Sequence, residues 1–174
     1  MTDDLYARIV RERGGMENLL ARIPGFRGYM EKNARRQADR QIRDYVADKL
    51  RQQLDRLPTV EKALLDAGGL KYMSKTRSIK TKFQTFIDRV ATDAPGYSGF
   101  FDALKVDMED LAVVYAFDEA LLDYGEAFGE RLDAVQAAST SGGDIDAALS
   151  ELDALTLEAN QAYNLREDVL KGLE

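Results

Sequence analysis

Carboxylates are the side chains in this chain best placed to do chemistry. Glu119, Asp123, Glu126 and Glu130, with Asp133, lie three or four residues apart, so a helix puts them on one face where oxygen ligands could meet Mg²⁺. The chain has no histidine and no cysteine. That removes imidazole as general base or metal ligand, thiolate nucleophiles and disulfides, and the Glu-x-x-His pairs of diiron bundles. What remains is chemistry run by carboxylates, lysine, tyrosine or an oxygen-bound hard cation.

Asp118 is the sharpest single oddity, because it occupies a position on an otherwise apolar helical stripe. A buried carboxylate needs a partner or shifts its pKa. The expectation is an aspartate turned to the helix edge or paired with an arginine from the basic half, with a metal or proton site as the functional alternative. All-helical nucleotide pyrophosphohydrolases use carboxylate clusters, but their paired acids on two helices are not reproduced; only Glu130-x-x-Asp133 fits one half. A Mg-dependent hydrolase therefore stands as an alternative, and no catalytic, cofactor-binding or metal residue is assigned.

A second kind of chemistry is anion recognition. Residues 1–92 hold 20 basic and 12 acidic side chains, net +8, whereas residues 93–174 hold 4 and 19, net −15, which together give the chain its −7. The candidate partner or anion surface comprises Arg35, Arg36, Arg40 and Arg43, then Lys71, Lys75, Arg77, Lys80 and Lys82. Such clusters displace counterions from phosphate, so a nucleic acid or an acidic membrane surface is a coherent partner. Asp39, Asp44, Asp48 and Asp55 dilute the first cluster, and the bland alternative is basic residues meeting acidic ones across the fold.

The elements that must position these residues read as helix throughout. Leu5, Ile9 and Val10 predict a first helix ending at Gly14-Gly15, and Met16, Leu19, Leu20 and Ile23 a second segment reaching Pro24. Met30, Ala34, Ala38, Ile42, Val46, Leu50 and Leu54 recur every four residues, predicting a helix of about 40 Å that ends near Pro58. Thr59 is placed to cap a short helix closed by Gly68-Gly69, and Leu70 to Ser74 reads as a loop. Ile79, Phe83, Phe86, Ile87 and Val90 mark the next helix. Leu111, Val114, Asp118, Leu121, Gly125, Phe128, Leu132 and Val135 form a bundle seam within a helix of roughly 107–138. After a turn at 139–143, Asp144 caps a last helix striped by Leu152, Ala159, Ala162, Arg166 and Val169.

Two helix boundaries share a phrase, Pro24-Gly25-Phe26-Arg27-Gly28-Tyr29 and Pro95-Gly96-Tyr97-Ser98-Gly99-Phe100. Proline presets the first central position of a turn and glycine supplies the positive φ of a type II turn, so Pro24, Gly25, Gly28, Pro95, Gly96 and Gly99 are assigned as structural bends. The repetition suggests duplicated helix-bend-helix units, 1–71 and 72–143, followed by a helix over 144–173. Residues Ile23 to Tyr29 and Tyr97 to Val106 resemble a group of short bacterial all-helical proteins that carry an Ile-Pro-Gly-aromatic-x-Gly-aromatic segment. The resemblance implies a shared helical fold and no particular activity.

The expectation is one all-α domain over 1–174, an antiparallel bundle of five or six helices. The run Leu111 to Phe117 is too short for a membrane span, which needs about 20 residues. The acidic opening Met1-Thr2-Asp3-Asp4 shows no secretory signal, so a cytoplasmic location is expected. By elimination the chain reads as a non-catalytic interaction or assembly module, its partner another protein or a second copy of itself, with anionic-surface binding as the main alternative.

Overall fold

The computed structural model of the chain describes residues 2–12, 15–92, 99–103 and 105–173. Its helices are α1 (Thr2–Glu12), α2 (Met16–Arg22), α3 (Arg35–Leu54), α4 (Leu57–Gly68), α5 (Met73–Thr92), α6 (Met108–Ser141) and α7 (Ile145–Gly172). Short 3₁₀ turns lie at Lys32–Ala34, Gly69–Tyr72 and Gly99–Phe101. No strand occurs among the described residues, and the all-α bundle is the class the sequence predicts. Five helices, α3 to α7, make the bundle, and the short α1 and α2 lie along α6.

Side-chain pairs set the directions. Arg131 with Glu151, Tyr124 with Glu158 and Asp118 with Arg166 make α6 and α7 an antiparallel hairpin. Gly125 beside Lys49, Gly129 beside Gln53 and Asp133 on Arg56 make α3 run the same way as α6. Lys75 on Ser150 and Arg89 on Asn164 align α5 with α7. Hence α3 and α5 form a second antiparallel hairpin, bridged by α4, packed beside the first.

All eight seam positions of α6 are buried, including Asp118 and Gly125. Phe128 stacks on Phe83 at 4.0 Å between ring centroids and Phe86 meets Tyr163 edge-on; each such ring contributes about 2–3 kcal/mol by leaving water. Gly129 lets α3 approach, since a Cβ there would sit 3.0 Å from the Gln53 side-chain oxygen. Capping follows the sequence at Asp144 but not at Thr59, which lies inside the first turn of α4 because that helix already starts at Leu57, after Arg56 and with no side-chain cap. Asp107 and Asp110 form a reciprocal capping box on α6, and Asp144 accepts from the Ala147 N–H on α7. No helix among the described residues is long and apolar enough to cross a membrane.

Several predicted boundaries move: α6 runs on to Ser141, through most of the turn expected over 139–143, and stops where Gly142 takes a left-handed φ of 73°. The third helix begins at Arg35, not near Met30, because the Tyr29 N–H donates to the Tyr115 hydroxyl at 2.8 Å and the Tyr29 carbonyl accepts from Arg35 Nε at 2.9 Å. Those tertiary bonds hold Tyr29 outside a helix. Pro58 opens α4 rather than closing the helix before it: it lies in the first turn, where its missing N–H has no intrahelical partner to lose. The stretch 70–74 is not a loop, since a 3₁₀ turn leads directly into α5. Tyr72 is buried there against Gly68, where a Cβ would come within 2.5 Å of the ring, but a single buried side chain leaves no periodic trace.

At the first bend the assigned glycines are required. Gly25 and Gly28 take φ of 76° and 79°, and a Cβ on Gly28 would lie 2.6 Å from the Tyr115 hydroxyl. Pro95 and Gly96 lie outside the described residues; Gly99 begins a 3₁₀ turn. Gly28→Ala should therefore cost about 2–4 kcal/mol, combining left-handed strain with a clash, whereas Gly142→Ala, also at positive φ but with nothing near its Cβ position, should cost about 1 kcal/mol. Urea midpoints of the two variants check the order.

Candidate functional site

The bundle closes around a cluster of ionised side chains. Arg166 of α7, fully buried, donates from Nε to Asp118 Oδ1 at 2.7 Å and from Nη2 to Asp39 Oδ1 at 2.6 Å. Arg43 Nε donates to the other Asp39 oxygen at 2.9 Å, and the Tyr29 hydroxyl donates to Asp118 Oδ2 at 2.6 Å. Both oxygens of each aspartate thus accept, the arrangement of a carboxylate rather than of an acid. Two cations and two anions balance. Arg166 Nη1 lies 3.6 Å from Glu167 Oε1.

The cluster ties together four of the five bundle helices and the first bend. Asp39 and Arg43 come from α3, Asp118 from α6 and Arg166 from α7, while Arg43 Nη1 reaches the Val90 carbonyl at the end of α5. Arg35 extends the arrangement, donating to the carbonyls of Tyr29, Phe100 and Ala103. Phe26, Phe100 and Tyr115 enclose the Tyr29 ring.

Charge in this setting is displaced from its ordinary behaviour. Burial, with Asp118 beside it, pushes the Tyr29 hydroxyl well above the usual phenol range. Burial also raises the Asp118 carboxyl, opposed by Arg166 and by the Tyr29 hydrogen bond. For Arg166 burial works against the charge, but Asp118 and Asp39 outweigh it and hold the guanidinium well above its ordinary pKa. Arg166 is therefore held charged and Tyr29 held neutral, each in its protonated form.

Sequence patterning singled out Asp118 and its need for a partner, but looked for the arginine in the basic half. The direct partner is Arg166, one of only four basic residues in the acidic half. Its signal was present: an arginine on an apolar stripe is the same anomaly as an aspartate on one. Tyr29 and Asp39 had no such mark.

The predicted anion surface is divided by the fold. Arg35 and Arg43 are buried and spent on the interior. Arg36 lies over the Phe101 ring and reaches Asp102, and Arg40 pairs with Asp44 in solvent. Lys71 and Lys82 pair with Asp146 and Asp153, and Lys75 donates to Ser150, so one side of α5 is applied to acidic α7. Arg77 and Lys80 remain exposed, with no carboxylate at ion-pair distance among the described residues. The carboxylate row is divided likewise. Glu119 accepts from Asn18 and the Gly15 N–H, Asp123 and Glu126 hold Arg22, and Asp133 holds Arg56. Among the described residues no three such side chains converge as metal ligands would.

Arg77 and Lys80 border a groove of about 460 Å³ where α4 meets α5. Pro58, Leu65 and Met73 contribute apolar wall, with Lys62 and Glu61 on the α4 side. Leu70, at the lip, is 80% exposed, the most exposed large apolar side chain among the described residues. No family model matches the chain, and no curated protein or solved structure matches it.

Two outcomes follow for the charge cluster. Arg166→Leu leaves buried Asp118 without a counter-charge and Asp39 with Arg43 alone, and should cost about 3–5 kcal/mol, read as a lower urea midpoint. The Tyr29 pKa is higher in the folded than in the unfolded chain, so its contribution is fully present below about pH 10 and is lost as pH rises beyond it. Tyr29→Phe should lower stability at neutral pH by about 1–3 kcal/mol, through the hydrogen bond lost by Asp118, and flatten the alkaline decline. Denaturation midpoints across alkaline pH test both parts.

Proposed function

We propose that this chain is a non-catalytic interaction module whose elbow between α4 and α5 receives a protein segment carrying apolar and acidic side chains. Leu70 is the observation that carries this. An apolar side chain so exposed contributes almost nothing to folding, and it stands beside an apolar groove bordered by Lys62, Arg77 and Lys80. Apolar anchors would supply affinity, and the cations would select acidic over basic segments and speed encounter.

The interior supports the same division of labour. Its charged groups are engaged by one another and by backbone carbonyls, holding the helices in register. Surface exchange is left to the elbow. The second reading, binding of nucleic acid or an acidic membrane through the basic half, draws on Arg77 and Lys80 together with Lys62, but leaves exposed Leu70 unused.

A designed amphipathic helix, leucine on one face and glutamate on the other, should bind with Kd in the range of about 10–100 µM by fluorescence anisotropy. Leu70→Asp should weaken it at least about tenfold and Lys80→Glu several-fold, and a lysine-faced counterpart should not bind. Equal binding of both helices, or of neither, would remove the proposal. Retention on heparin or acidic vesicles without binding of the acidic helix would favour the anionic-surface reading instead.

A further inference from the structure

The first turn of α6 carries the complement of the elbow on the same molecule. Met108 is 62% exposed and stands among Asp107, Glu109 and Asp110. Helix capping accounts for part of this: Asp107 and Asp110 exchange the bonds of the capping box, and acids are favoured at a helix N-terminus. It does not account for an apolar side chain held out in solvent at the centre of the acids. The result is a knob, an exposed apolar side chain flanked by three acids, with Lys105 three residues before it, matching an apolar groove whose three cations outnumber its one acid, Glu61.

Their placement determines what such a match can build. The elbow lies at the start of α5, where Lys71 and Lys75 meet Asp146 and Ser150 at the start of α7, beside the turn that ends α6. Met108 begins α6, a helix of 34 residues, and the groove lies level with its last third, since Arg56 beside Pro58 pairs with Asp133, so the two surfaces are separated by about 35–50 Å at 1.5 Å per residue. They occupy opposite ends of the bundle and cannot meet within one molecule.

Resting on the elbow proposal above, we infer that the segment received there is the first turn of α6 from a second copy of this chain. The contact joins unlike surfaces at opposite ends, so each added copy leaves a new knob at one end and a new elbow at the other. Association is head-to-tail and open-ended rather than a closed two-fold dimer. A knob of one helical turn makes a small interface, and the match depends on charge, so assembly is weak, concentration-dependent and sensitive to salt.

Sedimentation velocity of the full chain tests this. Average mass should rise continuously past the dimer as concentration approaches about 1 mM at low salt, and fall back toward monomer when salt reaches about 1 M. Leu70→Asp and Met108→Lys alter exposed side chains, so each variant should stay folded and monomeric when alone. Mixed in equal amounts, they should form a one-to-one dimer and nothing larger, because one keeps a working knob and the other a working elbow. A wild-type chain that stays monomeric throughout, an assembly that stops at the dimer, or a Leu70→Asp variant that assembles unchanged would overturn the inference. If the designed acidic helix binds the elbow while the chain remains monomeric, the second copy is excluded and the interaction module stands. Absence of both would remove both.

Discussion

The bundle depends on Arg166 being neutralised. A guanidinium with no access to water is sustained only by opposite charge at contact distance, because removing an ion from water costs several kcal/mol that a single good pair barely offsets. Here Asp118 and Asp39 supply that charge from two different helices. Neither is left with a spare oxygen, since Tyr29 and Arg43 take the remaining positions. The arrangement is satisfied only when α3, α6, α7 and the first Pro-Gly bend are all in register. An apolar core alone would tolerate a helix slipping along its neighbour by one turn, but this cluster would not.

That requirement also explains the bend. Tyr29 must present its ring, hydroxyl, N–H and carbonyl in different directions at once, to Phe100, Asp118, Tyr115 and Arg35 respectively. A helical residue would have its N–H and carbonyl committed to its own helix. Gly25 and Gly28 free the chain to hold Tyr29 in this way, so the turn is a mount for one tyrosine as much as a reversal of direction.

The uneven distribution of charge along the chain is largely absorbed when the two hairpins pack. Basic α5 lies against acidic α7, and α2 and the end of α3 meet the acids of α6. All of these pairs keep access to water, each contributing about 1 kcal/mol, so they choose which faces meet more than they stabilise the product. Arg77 and Lys80, beside the α4–α5 elbow, have no such counterpart among the described residues, and there an exposed leucine accompanies them.

Much of this was legible along the chain. The helical class, the α6 seam, the cap at Asp144 and the bend at Pro24-Gly25 are local matters: side-chain period, cap chemistry and turn dihedrals act over a few residues, and their residue types declare them. Asp118 declared itself by breaking a period. Arg166 carried the same mark, but nothing joined it to Asp118, because Arg166 is 48 residues away and Tyr29, the other partner, is 89, and no local rule connects such distances. The same limit applies to the basic clusters. Composition determined that opposite charges were available, whereas tertiary structure decided which would be buried as a balanced cluster, which would pair across helices and which would remain at the elbow, since Coulombic and desolvation energies depend on distance and burial in the fold and not on position in the chain.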